Sequence, residues 1–345
     1  MSEVGPSALF AVLARLPDRS ASLPDSVLAD PGLPLAAARH GVAAWVFDAL
    51  HPRLPRSIRG ALETHARETF ATASRIKRLT LRVIDALAAV RIVPVLLKGS
   101  ALAQRFFPTN PLVRPASDVD ILVAEDALTT VGRALETLGL AHMPDSAAAD
   151  PLEDHHHLAY VGQPGLVEVH FRLTNTFGRG LFDDERVRGR ALPYHFDGRP
   201  VMVLGPEDEF LYLATHAANH TFMRASWLVD LQQFLHRSPE LDFHLMAVRA
   251  RDAGFTEAVT TTLGLLERLL EVKLPQEARC HFPVGPRRAF DPVIFSGPRV
   301  EAARWSTDAL GGFALRLWMV DSPTHAFRHV SDGVVRYVRR ALSRR

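Results

Sequence analysis

One cysteine, Cys280, stands in 345 residues, so the chain cannot form an internal disulfide. That scarcity points to a reducing compartment, and the expected location is cytoplasmic. No stretch approaches the ~20 apolar residues of a membrane-spanning helix. The N-terminal run MSEVGPSALFAVLARLPDRS carries an early acidic residue and an apolar stretch broken by Arg15, unlike a signal peptide. A net charge of +2 gives no global field to select nucleic acid or membrane as partner. No 20–50-residue repeat is visible, which argues against a solenoid. A hydrophobic content of 47% leaves ample material for a large core and two or three structural units.

Residues 1–90 read as helical. The segment RSIRGALETHARETFATASRIKRLTLRVIDALAAV has no proline, and Leu62, Phe70, Ile76, Leu79, Ile84 and Leu87 recur at helical spacing. The texture changes over 91–205. VPVLL and DVDILV read as short strands, SALAQRFF as a two-turn helix ended by Pro108, and EDALTTVGRALETLGL as a longer helix. LAYVG and LVEVHFRL flank Gln163-Pro164-Gly165 as a hairpin, and PYHF with PVMVLG form a second around Asp197-Gly198. Residues 206–345 are mostly helical again, and the end VVRYVRRALSRR reads as a solvated basic helix or tail. The expected architecture is an α+β core between two helical regions.

The stretch LLKGSALAQRFFPTNPLVRPASDVDILV concentrates the chemistry. Residues i and i+2 of a strand share a face, so Asp118 and Asp120 lie side by side. Two carboxylates that close repel unless a cation joins them, and a hard divalent ion such as Mg²⁺ suits oxygen donors. Gly99 and Ser100 sit where a strand turns into a helix, a place that binds anions through free backbone N–H groups. Ser100 is expected to cap that helix or donate to a phosphate. In LVEVHFRL, Val167, Val169, Phe171 and Leu173 read as the core face. Glu168 and His170 then fall on the polar face, where Glu168 is the candidate third carboxylate.

These motifs, "LLKGSAL…RPASDVDILV…VEVHFRL", resemble the nucleotidyltransferase superfamily of DNA polymerase β type. They are most similar to a bacterial uncharacterised nucleotidyltransferase group with an LKG-x-AL…R-x-x-D-[IV]-D-[IL]-[LV]-V pattern. EDEFLYLATHAANHTFMRASWLVDLQQFL resembles that group's H-x-x-x-H…W-x-x-D segment, so the likeness spans about Ala36 to Leu235. The gap between Gly-Ser and the first aspartate is longer than the superfamily's usual one, and the third carboxylate is Glu where Asp is commoner. The resemblance implies a polymerase β-type core and a two-metal site in which Asp118, Asp120 and Glu168 hold Mg²⁺. It implies that Gly99 and Ser100 bind the phosphates of an NTP, and that Lys98 and Arg114 neutralise developing charge.

The implied reaction moves an NMP to a hydroxyl and releases pyrophosphate. The acceptor is unspecified; a small molecule, peptide or protein is preferred, since the chain lacks basic-aromatic patches for a large nucleic acid. Phosphoryl transfer to a peptide or protein is an alternative, as is a retired catalyst that senses nucleotide or binds a partner.

His216 and His220 share a helix face with Arg224 and Trp227. They read as a polar face closing the cleft or contacting substrate phosphate, with Arg224 and Asp230 taking part. Zinc is disfavoured, because no third ligand is apparent. The run His155-His156-His157 reads as a surface loop.

Overall fold

Pro55 opens the dominant element of the molecule. In the computed structural model, which describes residues 7–17, 22–144, 155–163, 165–174, 184–285 and parts of 288–331, helix α5 runs from Arg56 to Ala89. At ~1.5 Å per residue it is about 50 Å long. Proline is tolerated just before the first turn, and the 34 residues that follow contain none. Four shorter helices precede it, α1 (Ala8–Arg15), α2 (Asp25–Leu28), α3 (Leu33–Arg39) and α4 (Ala43–Leu50).

Two apolar cores meet along α5. Ile58, Leu62 and Ala66 belong to a core shared with the N-terminal helices. Ile76, Leu79, Val83, Ile84 and Leu87 belong to a second core under the sheet. Between them the helix turns Glu68, Thr69 and Thr72 towards a cleft.

The sheet has seven strands in the order β3-β4-β5-β2-β1-β7-β6. They are β1 (Val95–Leu96), β2 (Val119–Leu122), β3 (Ala141–Met143), β4 (His157–Gly162), β5 (Gly165–His170), β6 (Leu192–Phe196) and β7 (Arg199–Val203). β1 and β2 are antiparallel, whereas β2–β5 and β1–β7 are parallel. Both expected hairpins form, β4–β5 and β6–β7. The second turns at Asp197 (φ 46°) and Gly198 (φ 81°), the left-handed pair that a two-residue hairpin loop requires. β3 was not foreseen; it adds to the edge of β4 and is fully exposed.

Helices α6 (Gly99–Phe106) and α7 (Leu128–Glu136) connect the strands, and α8 (Asp184–Gly189) leads into β6. Then come α9 (Pro206–Asn219), α10 (Ala225–Arg237), α11 (Phe243–Ala253) and α12 (Thr256–Leu270). Leu9, Phe10 and Leu13 of α1 share one core with Leu263, Leu266 and Leu270 of α12. The helices before and after the sheet thus share one core beside a mixed seven-stranded sheet, a fold consistent with the polymerase β-type core that the resemblance implies. The basic end 334–345 lies outside the described residues.

Candidate active site

β1 and β2 run antiparallel at the centre of the sheet, so the end of β1 and the start of β2 lie at the same end of the strands. Lys98 and Gly99 leave β1 there, and Asp118 and Asp120 enter β2. Gly99 takes φ +58°, a left-handed conformation that costs a residue with a side chain about 1–2 kcal/mol. α6 starts at Gly99 with Lys98 in the cap position and no side-chain cap bond, so Ser100 lies inside the helix and does not cap it. Its hydroxyl instead faces Thr80 on α5 at 3.5 Å.

β2 and β5 pair in parallel with Asp120 opposite Glu168. Asp120 is buried and accepts from Lys98 Nζ at 3.1 Å and lies 3.1 Å from His170 Nε2. That same His170 nitrogen is 3.5 Å from Glu168. Burial opposes all these charges, but they support each other. Lys98 and His170 hold the Asp120 carboxyl well below its ordinary range. Asp120 and its neighbours hold the Lys98 ammonium above its own despite burial. The hydrogen bonds to Asp120 and Glu168 likewise raise His170 against its burial. Asp118 behaves in the opposite way: burial and the adjacent Asp120 charge push it up to about 6.

A cleft of about 390 Å³ opens over this end of the strands, a volume within the range of small-molecule sites. Lys98, Gly99, Arg114, Asp118, Asp120, His216 and Arg224 all line it, together with Trp227 and Asp230. Ser100, Glu168, His170 and His220 are not part of this wall. His216 and His220 stack towards each other at 4.7 Å, and both rings pack on Trp227 at 5.2 and 5.1 Å. Burial and the nearby Lys98 charge drive the His216 pKa well below its ordinary value, so the imidazole is neutral.

Arg114 is a clamp. Its Nε and Nη2 donate to the two Asp230 oxygens at 2.9 and 2.8 Å. Its Nη1 donates to the carbonyls of Gly99 and Pro115. One guanidinium thereby ties α10 to the Gly99 turn. The loop that lengthens the Gly-Ser to Asp gap is itself ordered by Asn110, whose amide donates to Asp48 at 2.9 Å. His40 is a positioning residue that composition and pattern do not reveal. Its Nδ1 accepts from Ala225 N–H and its carbonyl from Ser226 N–H, fixing the start of α10 beside Arg224 and Trp227.

The histidine run is a half-buried loop-to-strand junction and not an exposed surface loop: His155 and His156 precede β4, and His157 begins it. The β4–β5 register continues back from the turn until His157 pairs with His170. His155, His156 and His157 are half-buried, and His157 Nε2 lies 3.7 Å from Glu168. The hairpin pattern contains this signal, because counting back from its turn brings His157 opposite His170.

The donor set tests for a metal directly. Asp120, Glu168 and His170 bring ligand atoms within 4.8 Å of one another. Asp118 adds a carboxyl whose raised pKa reports negative charge that a cation would relieve. The carboxylate oxygens of Asp118, Asp120 and Glu168 fit a hard divalent cation, whereas the His170 nitrogen suits one less well.

No curated protein matches the chain. A solved structure of the antibiotic-resistance factor ANT(2'')-Ia is similar at 11% identity and a TM-score of 0.35, covering 50% of this chain and 88% of that one. The model of an uncharacterised nucleotidyltransferase family matches residues 33–271, from α3 through α12 and across every strand of the sheet. On that match, the chain belongs to the uncharacterised nucleotidyltransferase family.

Proposed function

We propose that the protein is a Mg²⁺-dependent nucleotidyltransferase that moves an NMP from an NTP to a hydroxyl acceptor and releases pyrophosphate. The observation that carries this reading is the pairing of Asp120 with Glu168 across β2 and β5, beside a cleft walled by Asp118, Lys98 and Gly99. Asp118, Asp120 and Glu168 would hold the ion. Bound there, Mg²⁺ neutralises phosphate charge and lowers the pKa of the acceptor hydroxyl.

The rest falls to the chain. The Gly99 turn lets phosphate oxygens approach the backbone at the start of α6. Arg224, exposed on the cleft wall, supplies a guanidinium fork for an anionic oxygen. Lys98 keeps its charge next to the carboxylates and offsets the negative charge that gathers as the α-phosphorus is attacked. Trp227 gives the cleft an aromatic face for a base or an acceptor ring. The acceptor is a small-molecule, peptide or protein hydroxyl. No helix among the described residues is long and apolar enough to cross a membrane, and we place the activity in the reducing cytoplasm.

The test incubates the protein with each NTP, Mg²⁺ and a panel of hydroxyl acceptors, followed by nucleotide analysis and intact mass. Pyrophosphate release, or a gain of one NMP on an acceptor, is expected and disappears in Asp118→Asn. Release of a nucleoside diphosphate would replace the reading with phosphoryl transfer. Tight NTP binding without consumption across the panel would replace it with a binding module.

A further inference from the structure

Three imidazoles gather where β4 pairs with β5, next to Glu168. One nitrogen from each of His156, His157 and His170 lies within 4.8 Å of the other two. His156 Nε2 and His157 Nδ1 face each other at 3.2 Å. As it stands this is a ring-to-ring hydrogen bond, and it is also close to the ~3.3 Å between two nitrogens bound to one tetrahedral Zn²⁺ at about 2.0–2.1 Å. The rings are held from several directions. His156 and His157 meet edge to face at 4.5 Å, and each packs on His170 at 5.3 and 5.1 Å. β4–β5 pairing sets His157 opposite His170.

Two further observations point to a ligand. His170 is 1% exposed, yet its Nδ1 has no hydrogen-bond partner. An unpartnered buried nitrogen carries a desolvation cost that a ligand at the cluster would offset. Glu168 lies 3.7 Å from His157 Nε2 and 3.5 Å from His170 Nε2, so a carboxylate borders the cluster and would reach an ion on the Nδ1 atoms only by a change of rotamer. His157 retains about a quarter of its side-chain exposure, which leaves an entry for an ion.

We propose that His156, His157 and His170, with Glu168, form a second metal site that takes a borderline transition-metal ion of the zinc class. Imidazole nitrogens prefer such ions, whereas Mg²⁺ prefers oxygen. The site adjoins the carboxylate pair through His170 and Glu168. It stands on the histidine geometry, and Glu168, which the proposed function gives to Mg²⁺, would be shared between the two sites.

Co²⁺ is the probe, because tetrahedral nitrogen coordination gives it strong visible d–d bands. Chelator-treated full-length protein is titrated with Co²⁺ and then with Zn²⁺, in the presence of excess Mg²⁺. One Co²⁺ per chain is expected, with tetrahedral bands that Zn²⁺ abolishes and Mg²⁺ does not. His157→Ala and His156→Gln should each weaken binding at least ~100-fold, since loss of a supporting group alone costs 10–100-fold. His142→Ala, an exposed histidine on β3, should bind as the parent does. Circular dichroism of each variant separates lost binding from lost fold, and His156→Gln keeps a polar side chain should His157→Ala not fold. Absent binding would overturn the proposal. So would Co²⁺ that Mg²⁺ displaces, or binding that survives both histidine changes, because the ion would then sit on the carboxylates.

Discussion

Asp118 and Asp120 are separated by one residue, and their surroundings drive them in opposite directions. Asp120 is neutralised by Lys98 and His170, whereas Asp118 is raised from 3.8 to about 6 by burial and by Asp120. A carboxyl with a raised folded pKa binds its proton more tightly when folded, so it favours the fold below pH ~4 and loses that contribution as pH rises through 6. In metal-free protein, Asp118→Asn should therefore flatten this part of the stability-versus-pH curve between about 4 and 6. Urea midpoints measured across that window check it, and an unchanged slope would remove Asp118 from the account. That Asp118 and Asp120 share one strand face was legible in the sequence, because strand alternation is local; that Glu168 lies opposite Asp120 rests on the pairing of β2 with β5. The place of His157 could be had by counting back from the hairpin turn, whereas that of His40 could not, because its partner lies 185 residues away.

At the scale of elements, the loop between α6 and β2 matters most. It carries Arg114, which the resemblance casts as a charge neutraliser, into a buried pair with Asp230 on α10. Removing one member of a buried pair leaves the other charge uncompensated and costs about 3–5 kcal/mol. Asp230→Ala should lower stability by that amount, measured by denaturant unfolding. A loss below 1 kcal/mol would mean that the guanidinium is free to serve the cleft. The hairpins, the long α5 and the Gly99 turn were readable from punctuation by Gly and Pro and from periodicity. β3 was not, because its register is set by an edge on β4 and its side chains are all exposed.

For the whole molecule, the sheet does not stand alone. Its lower core includes Ile76, Leu79, Val83, Ile84 and Leu87 of α5, and the other core joins the first helix to those after the sheet. A fragment of residues 91–205 keeps every strand of the sheet yet loses the apolar surface that covers it, at roughly 25 cal/mol for each Å² exposed. It should show no cooperative thermal transition and little dispersion in its amide spectrum. A sharp transition in that fragment would show that the core is self-sufficient.

Local rules acting within a few residues determined most of the segments that became strands and helices, where glycine turned the chain, and that Asp118 and Asp120 share one face of a strand. These follow from alternation, helical period and like-charge repulsion, all of which are written in sequence order. Only the tertiary structure decided which cation each carboxylate meets. It turned Arg114 inward to Asp230, seated Lys98 on Asp120 and drew His156 and His157 towards His170. Those choices depend on burial and strand register, which bring together residues that sequence distance keeps apart.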